Sequence, residues 1–181
     1  MKSAGDDRQG ATRSEKSAWK GRVRRIRLAL AVALVIVVAD QVTKSLVVAE
    51  LSSGPVHVIG PFSFALTYNT GVAFSIASGL TLPIIVIVVC VLALVAWFGR
   101  SVPSTPAAVA IGMILGGAVG NLCDRLFRGH HGAVVDFIYS GFWPTFNLAD
   151  ASIVCGCAVL VVALWRSGAR TSEGHDRRRS P

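Results

Sequence analysis

Charge is scarce in this chain. Only 15% of its 181 residues are Asp, Glu, Lys or Arg, against 52% hydrophobic, and its mean hydropathy is +0.59. A soluble domain carries about 25% charged residues, so the composition excludes one and predicts an integral membrane protein. Cysteine is sparse as well: Cys90, Cys123, Cys155 and Cys157 all lie in or at the ends of apolar runs, with no Cys-x-x-Cys pair. Buried thiols are expected there, not disulfides or a metal set. There is no His-Glu-x-x-His segment, and the adjacent His130 and His131 cannot both face one ion from an extended strand, which argues against a zinc peptidase.

Basic residues are absent where their absence is informative. Residues 50–79 carry no Lys or Arg, whereas residues 1–27 carry nine and the segment from Arg166 carries five. Cytoplasmic flanks retain such charges and translocated loops lack them. Both termini are therefore expected in the cytoplasm, with the 50–79 loop outside. The net charge of +8 is explained by tails facing anionic lipid headgroups, so no nucleic-acid partner is called for. Residues 1–27, polar and basic, read as a disordered cytoplasmic tail. Cleavage of a signal peptide is disfavoured, because the apolar stretch from Leu28 runs into Asp40 and Lys44 without a small-x-small site flanked by polar sequence.

What remains is long hydrophobic runs. At about 20 residues per crossing, the sequence predicts four spans: one from Leu28, one from Leu80 to Phe98, one from Ala107 to about Cys123, and one from Leu148 to Trp165. The expected fold is an all-α membrane bundle of four transmembrane helices over residues 28–165, with a second basic cytoplasmic tail at 166–181. Alternating stretches at Val56–Ile59 and Phe62–Tyr68, bounded by Gly54-Pro55 and Gly60-Pro61, predict short strands within about 50–79, forming a small sheet on the membrane surface.

Polar residues inside such a chain are costly and mark sites. A central Asp costs about 2.5 to 3.5 kcal/mol on insertion scales and less near the interface. Asp136 lies among Val134, Val135, Phe137 and Ile138, and Asp150 opens the last span behind Asn147. Desolvation is expected to raise the pKa of Asp136, while the N-cap position of Asn147 places Asp150 where free amides and the helix dipole favour the ionised form. Two acids driven apart in this way suit acid–base hydrolysis. Taken singly, Asp150 reads as well as a capping acid and Asp136 as a loop turn. Asp40 and Lys44 share a helix face and neutralise each other, as a structural pair or in support of the site. Asn69 and Gly71 mark a turn. Gly112, Gly116 and Gly120 bare one face of the third span, for close packing or for an incoming peptide helix, and that face leads to Asn121, Asp124 and Arg125. Asp124, with Arg125 beside it and Arg128 one turn on, reads as a compensated structural acid.

Five blocks in order give the chain a family resemblance: Asp40-Gln41-Val42-Thr43-Lys44, Tyr68-Asn69-Thr70-Gly71-Val72-Ala73-Phe74-Ser75, Gly116 through Arg125, Val134-Val135-Asp136-Phe137, and Phe146-Asn147-Leu148-Ala149-Asp150. Over about residues 28–165 it resembles the lipoprotein signal peptidases (signal peptidase II), intramembrane aspartic peptidases of family A8. The resemblance implies catalytic carboxylates at Asp136 and Asp150, and site-lining polar positions at Asp40, Lys44, Asn69, Gly71, Asn121, Arg125 and Asn147. It also implies an extracytoplasmic β-cradle, prolipoprotein substrates cut before a diacylglyceryl-modified cysteine, and no metal or organic cofactor. His130 and His131 are not part of the family pattern. A proton-coupled transporter is the alternative, disfavoured because the acids cluster at one edge rather than the midplane. A non-catalytic membrane scaffold is separated from a peptidase by the effect of Asp150→Asn.

Overall fold

The structure is a computed structural model that describes residues 4–70, 102 and 104–176, with side chains described for 15–52, 54–70, 102 and 104–167. Helix α1 spans Ala4–Glu50, α2 spans Thr105–Phe127 and α3 spans Leu148–Asp176. Strands β1 (Val56–Ile59), β2 (Phe62–Asn69) and β3 (Val134–Tyr139) form an antiparallel sheet in the order β1-β2-β3. The expected second span at 80–98 and Gly71 lie outside the described residues.

Among the described residues, three helices are long and apolar enough to cross a membrane. Their burial is the reverse of a soluble bundle. The largest fully buried side chains include Lys44, Asn147, Asp40, Asp124 and Asp136, while Leu30, Leu34, Val38, Val42 and Leu46 lie exposed at four-residue spacing along α1. That is the pattern expected where the solvent is lipid and the polar groups must satisfy one another. Residues 4–27, read from composition as a disordered tail, form the N-terminal half of α1. The segment has no proline, and extending a helix already nucleated by the span costs little per residue.

Glycine sets how closely the helices approach. A Cβ on Gly112 would sit 2.5 Å from the Ala29 carbonyl oxygen, one on Gly116 would sit 2.7 Å from Ile36 Cβ, and one on Gly120 would sit 2.6 Å from Asp40 Oδ2. These contacts ascend together along α1 and α2, so the two helices run parallel. The glycine face is therefore filled by α1, and the reading that leaves it open for a signal-peptide helix is corrected. Gly117, on the adjacent face, meets Ala149 and Ser152 of the antiparallel α3, and Gly156 of α3 meets Ala110 and Ile114 in return.

The sheet caps one end of these helices. β1 and β2 form a hairpin through Gly60, at φ +53°, and β2 pairs onward with β3, placing Asn69 opposite Val134 and Thr67 opposite Asp136. β3 closes the sheet from a stretch read in the sequence only as an apolar run or a turn. Phe146 then bridges back to Ile138, delivering the chain to the start of α3.

Candidate active site

α3 begins with a reciprocal cap. Asn147 Oδ1 accepts from the Asp150 backbone N–H (2.9 Å), and Asp150 Oδ2 accepts from the Asn147 backbone N–H (3.2 Å). This is the capping-box arrangement with Asp in the third helical position, as the order Asn147-Leu148-Ala149-Asp150 leads one to expect. The next free amide, Ala149 N–H, is taken by Asp40 Oδ1 of α1 at 3.0 Å. Capping thus fixes Asp150 in place and ties α3 to α1.

Asn147 also brings the second acid in. Its Nδ2 donates to Asp136 Oδ1 at 2.7 Å, to Asn121 Oδ1 at 3.0 Å and to the Val135 carbonyl at 3.3 Å. From the other side, Asn69 Nδ2 at the end of β2 donates to Asp136 Oδ2 at 2.8 Å. Asn121 Nδ2 donates to Asp150 Oδ1 at 2.7 Å. Each carboxylate oxygen of Asp136 and Asp150 therefore accepts from a neutral amide. Asp136 is buried, whereas Asp150 is partly open to solvent.

Asp40 and Asp124 are held differently. Lys44 Nζ lies 2.9 Å from Asp40 Oδ2, 2.9 Å from Asp124 Oδ2 and 2.9 Å from Asn121 Oδ1, so three acceptors match its three N–H donors. Asp124 Oδ1 takes Arg128 Nε at 2.8 Å and Gln41 Nε2 at 2.9 Å, and its Oδ2 takes the Val135 N–H of β3 at 3.1 Å. Two acids and two bases, Lys44 and Arg128, sum to no net charge. Among the described residues every ion pair belongs to this cluster and neither Asp136 nor Asp150 joins one.

Burial is the main cause of a raised Asp136 pKa, reinforced by the Asp150 charge and opposed by the Asn69 and Asn147 hydrogen bonds and by Lys44. Desolvation penalises the charged form, so the direction agrees with the expectation from its apolar neighbours.

The structure brings together Asp136, Asp150, Asp40, Lys44, Asn69, Asn121 and Asn147. Lys44 pairs with Asp40 and also bonds Asn121, whose amide in turn bonds Asp150. Arg125 does not compensate Asp124 through an ion pair, as its place in the sequence suggests. Its Nη1 donates instead to the Asn121 carbonyl at 3.1 Å, and its buried Nε has no partner among the described residues. The guanidinium lies within electrostatic reach of Asp150, Asp124 and Asp136. Arg128 is the true neighbour of Asp124. Gln41, which the sequence reading passed over, bonds Gly120 O at 3.0 Å as well as Asp124. An amide in an apolar run, beside an acid, was the available signal, since buried polar groups need partners.

The comparisons with known proteins converge on one family. The family model described as signal peptidase (SPase) II matches residues 32–166. The lipoprotein signal peptidase of Mycobacterium avium (strain 104) is 47% identical over 144 residues, covering 77% of this chain and 79% of the relative. That of Mycobacterium tuberculosis (strain ATCC 25618 / H37Rv) is 45% identical over 144 residues, covering 77% and 71%. Two solved structures, each described as a bacterial membrane enzyme obtained by the in meso method, superpose with TM-scores of 0.67 and 0.68 at 27% and 29% identity. They cover 78% and 75% of this chain, and 90% and 91% of their own. With a family model spanning most of its length and relatives well above 40% identity, the chain belongs to the signal peptidase (SPase) II family.

Proposed function

We propose that this chain is an aspartic endopeptidase of the bacterial cell membrane that removes the signal peptide from prolipoproteins, cutting before a diacylglyceryl-modified cysteine. The observation that carries the assignment is the division among the buried acids. Asp40 and Asp124 are neutralised by Lys44 and Arg128, whereas Asp136 and Asp150 are oriented by amides that leave their protons free to move. Structural acids need their charge cancelled; catalytic acids need it available.

Asp150, partly open to solvent, takes a proton from a water held between the two carboxyls. Asp136, kept protonated by burial, donates to the scissile carbonyl oxygen as the water adds to its carbon. The protons then move in the reverse sense as the amine leaves. Asn147 touches both acids and sets their relation. Asn69 and Asn121 hold the outer oxygens, and Lys44 and Asp40 fix Asn121 and the start of α3. Arg125 and Gly71 complete the lining by family resemblance. No metal or organic cofactor has a step to perform. The substrate's lipid group holds the scissile bond at the membrane surface, where the carboxylates stand at the helix ends.

The domain plan is one membrane peptidase unit over 28–165 between basic segments at 1–27 and 166–181. The four-span count is supported by direction: α1 and α2 run parallel, and the sequence between them holds the apolar run Leu80–Phe98, long enough for a return crossing. Both termini in the cytoplasm and the carboxylates on the outer face follow from the distribution of Lys and Arg. The test is cleavage of a lipidated precursor by the purified chain and by Asp136→Asn and Asp150→Asn. Both variants are expected to lose cleavage, and full activity in either removes that residue from the pair.

A further inference from the structure

We propose that the end of the bundle opposite Asp136 and Asp150 carries a lipid site: the groove between the start of α2 and the last apolar turns of α3 takes an acyl chain of an anionic phospholipid, whose phosphate pairs with Arg166. The site lies outside the peptidase chemistry and does not depend on it, nor on which leaflet this end occupies. It needs only that α2 and α3 cross a membrane.

Small residues make the groove. α3 runs antiparallel to α2, so its later turns lie beside the first residues of α2. On α3, Ala158, Val159, Val162 and Arg166 fall on one helical face, and with Ser104 and Pro106 they line a cavity of about 440 Å³. Ala163 closes its floor in a packed cluster with Ala107 and Ala108. That volume falls within the range of small-molecule sites. From Ala158 to Arg166 the groove runs about 12 Å along the helix axis at 1.5 Å per residue. It begins near the middle of the Leu148–Ser167 span and ends at its edge, the path an acyl chain follows from the bilayer midplane to its headgroup.

The rim selects the headgroup. Arg166 is exposed at the end of the span and joins no ion pair among the described residues. α1 strengthens the positive field there. Because Ala29 meets Gly112 on the parallel α2, the residues about seven positions earlier on each helix share a level, which sets Arg22 to Arg25 beside the first turn of α2. Residues 16–30 carry six basic side chains and no acid, and the buried Nε of Arg25 has no partner among the described residues. A second groove, at the carboxylate end, supplies the contrast. Its walls include Leu46, Val47 and Phe137 around about 310 Å³, and its charged lining residue is Glu50. Both grooves are apolar, but their rims differ in sign, so an anionic headgroup is drawn to one and repelled by the other.

An arginine that only snorkels reaches the headgroup layer without any cavity beneath it. Here the cation and the chain-sized groove share one helix face, so a bound lipid is held at two points and both are separately removable.

The experiment is native mass spectrometry of the full chain from neutral detergent micelles, titrated with phosphatidylglycerol or with phosphatidylcholine of the same acyl chains. One basic residue near a membrane surface is worth about fivefold in affinity for an anionic lipid. The first phosphatidylglycerol is therefore expected to bind with a Kd at least about fivefold below that of phosphatidylcholine. Arg166→Gln is expected to abolish this preference and Arg166→Lys to keep most of it. Ala158→Phe, at an exposed position of α3, fills the groove and is expected to weaken both lipids. Arg22→Gln removes the same charge from an exposed position of α1 at the same end and is expected to leave the preference nearly intact. Equal affinities for the two lipids in the wild type overturn the site. So does an Arg22→Gln effect as large as that of Arg166→Gln, which would mean diffuse charge, or unchanged binding in Ala158→Phe, which would mean a snorkelling arginine without a groove. Displacement of the lipid by glycerol phosphate alone, at concentrations matching the lipid, also overturns it, since the acyl chain would then contribute nothing.

Discussion

Replacing Lys44 with methionine tests the physical core of the bundle. The ammonium is fully buried and serves Asp40, Asp124 and Asn121 at once. Methionine has similar length and no charge, so packing is nearly kept while a cluster of two acids and two bases becomes one acid in excess. Removing one partner of a buried pair costs about 3–5 kcal/mol, because the remaining charge is left uncompensated. Here two carboxylates lose the same cation, which argues for the upper part of that range. Unfolding in mixed micelles under rising denaturing detergent, followed by circular dichroism, gives the difference. The double variant Lys44→Met with Asp40→Asn restores the cluster's neutrality and is expected to recover part of the loss, a coupling that a double-mutant cycle reads directly. A single variant within about 1 kcal/mol of wild type, or a double variant no better than the single, refutes the claim that these charges hold the helices together.

Other perturbations separate the remaining parts. Asn147→Ala removes a helix cap, worth about 0.5–2 kcal/mol, and also the donor to Asp136, so cleavage is expected to fall by about 10² or more while the fold survives; near-normal turnover would sink its linking role. Gly120→Ala places a Cβ 2.6 Å from Asp40 Oδ2 and is expected to cost about 1–3 kcal/mol. Gly21→Ala, whose Cβ meets only Arg25 at 3.7 Å, is expected to be neutral or to stabilise by up to about 1 kcal/mol; equal effects would refute the close approach of α1 and α2. For pH, the proposed mechanism needs Asp136 protonated, and its folded pKa is raised chiefly by burial. Activity is thus expected to persist above the ordinary carboxylate range and to fall as pH rises through that folded pKa. Stability shares the sign: a carboxyl with a raised folded pKa favours the fold while protonated and loses that contribution over the same rise. In Asn69→Ala the basic limb moves to still higher pH, and a limb that stays put removes Asn69 from contact with the acid.

Local rules made much of this legible. Asn147 and Asp150 sit three apart at the start of an apolar run, and the capping pattern that spacing predicts is the one formed. Asp136 among Val134, Val135 and Phe137 announced its desolvation. Gly112, Gly116 and Gly120 announced a close helix approach, but spacing carries no information about the occupant, and α1 fills the face. β3 was hidden because strand pairing depends on a partner 67 residues away in sequence, as the Asn69–Asp136 bond illustrates. An isolated Val-Val-Asp-Phe does not alternate in polarity as a half-buried strand would. Arg125 misled for a related reason. Adjacent residues on a helix point about 100° apart, so Arg128, four positions on, reaches Asp124 where the immediate neighbour does not.

The cluster and the acid pair are best understood together. A lysine in direct contact with Asp150 would hold that carboxylate as a fixed ion and compete with any proton it accepts. In this chain the ammonium stands one amide away: Lys44 bonds Asn121 Oδ1, and Asn121 Nδ2 bonds Asp150 Oδ1. The amide passes on orientation without neutralising the acid it holds. Asn147 performs the same service between Asn121 and Asp136, so the ionic cluster gives rigidity, these two asparagines convert it into direction, and on the proposed mechanism the two aspartates keep their protons available. The mixture of acids, bases and amides that composition shows only as scarce polarity is in this way sorted by position: bases beside the acids that hold helices together, amides beside the acids proposed to react.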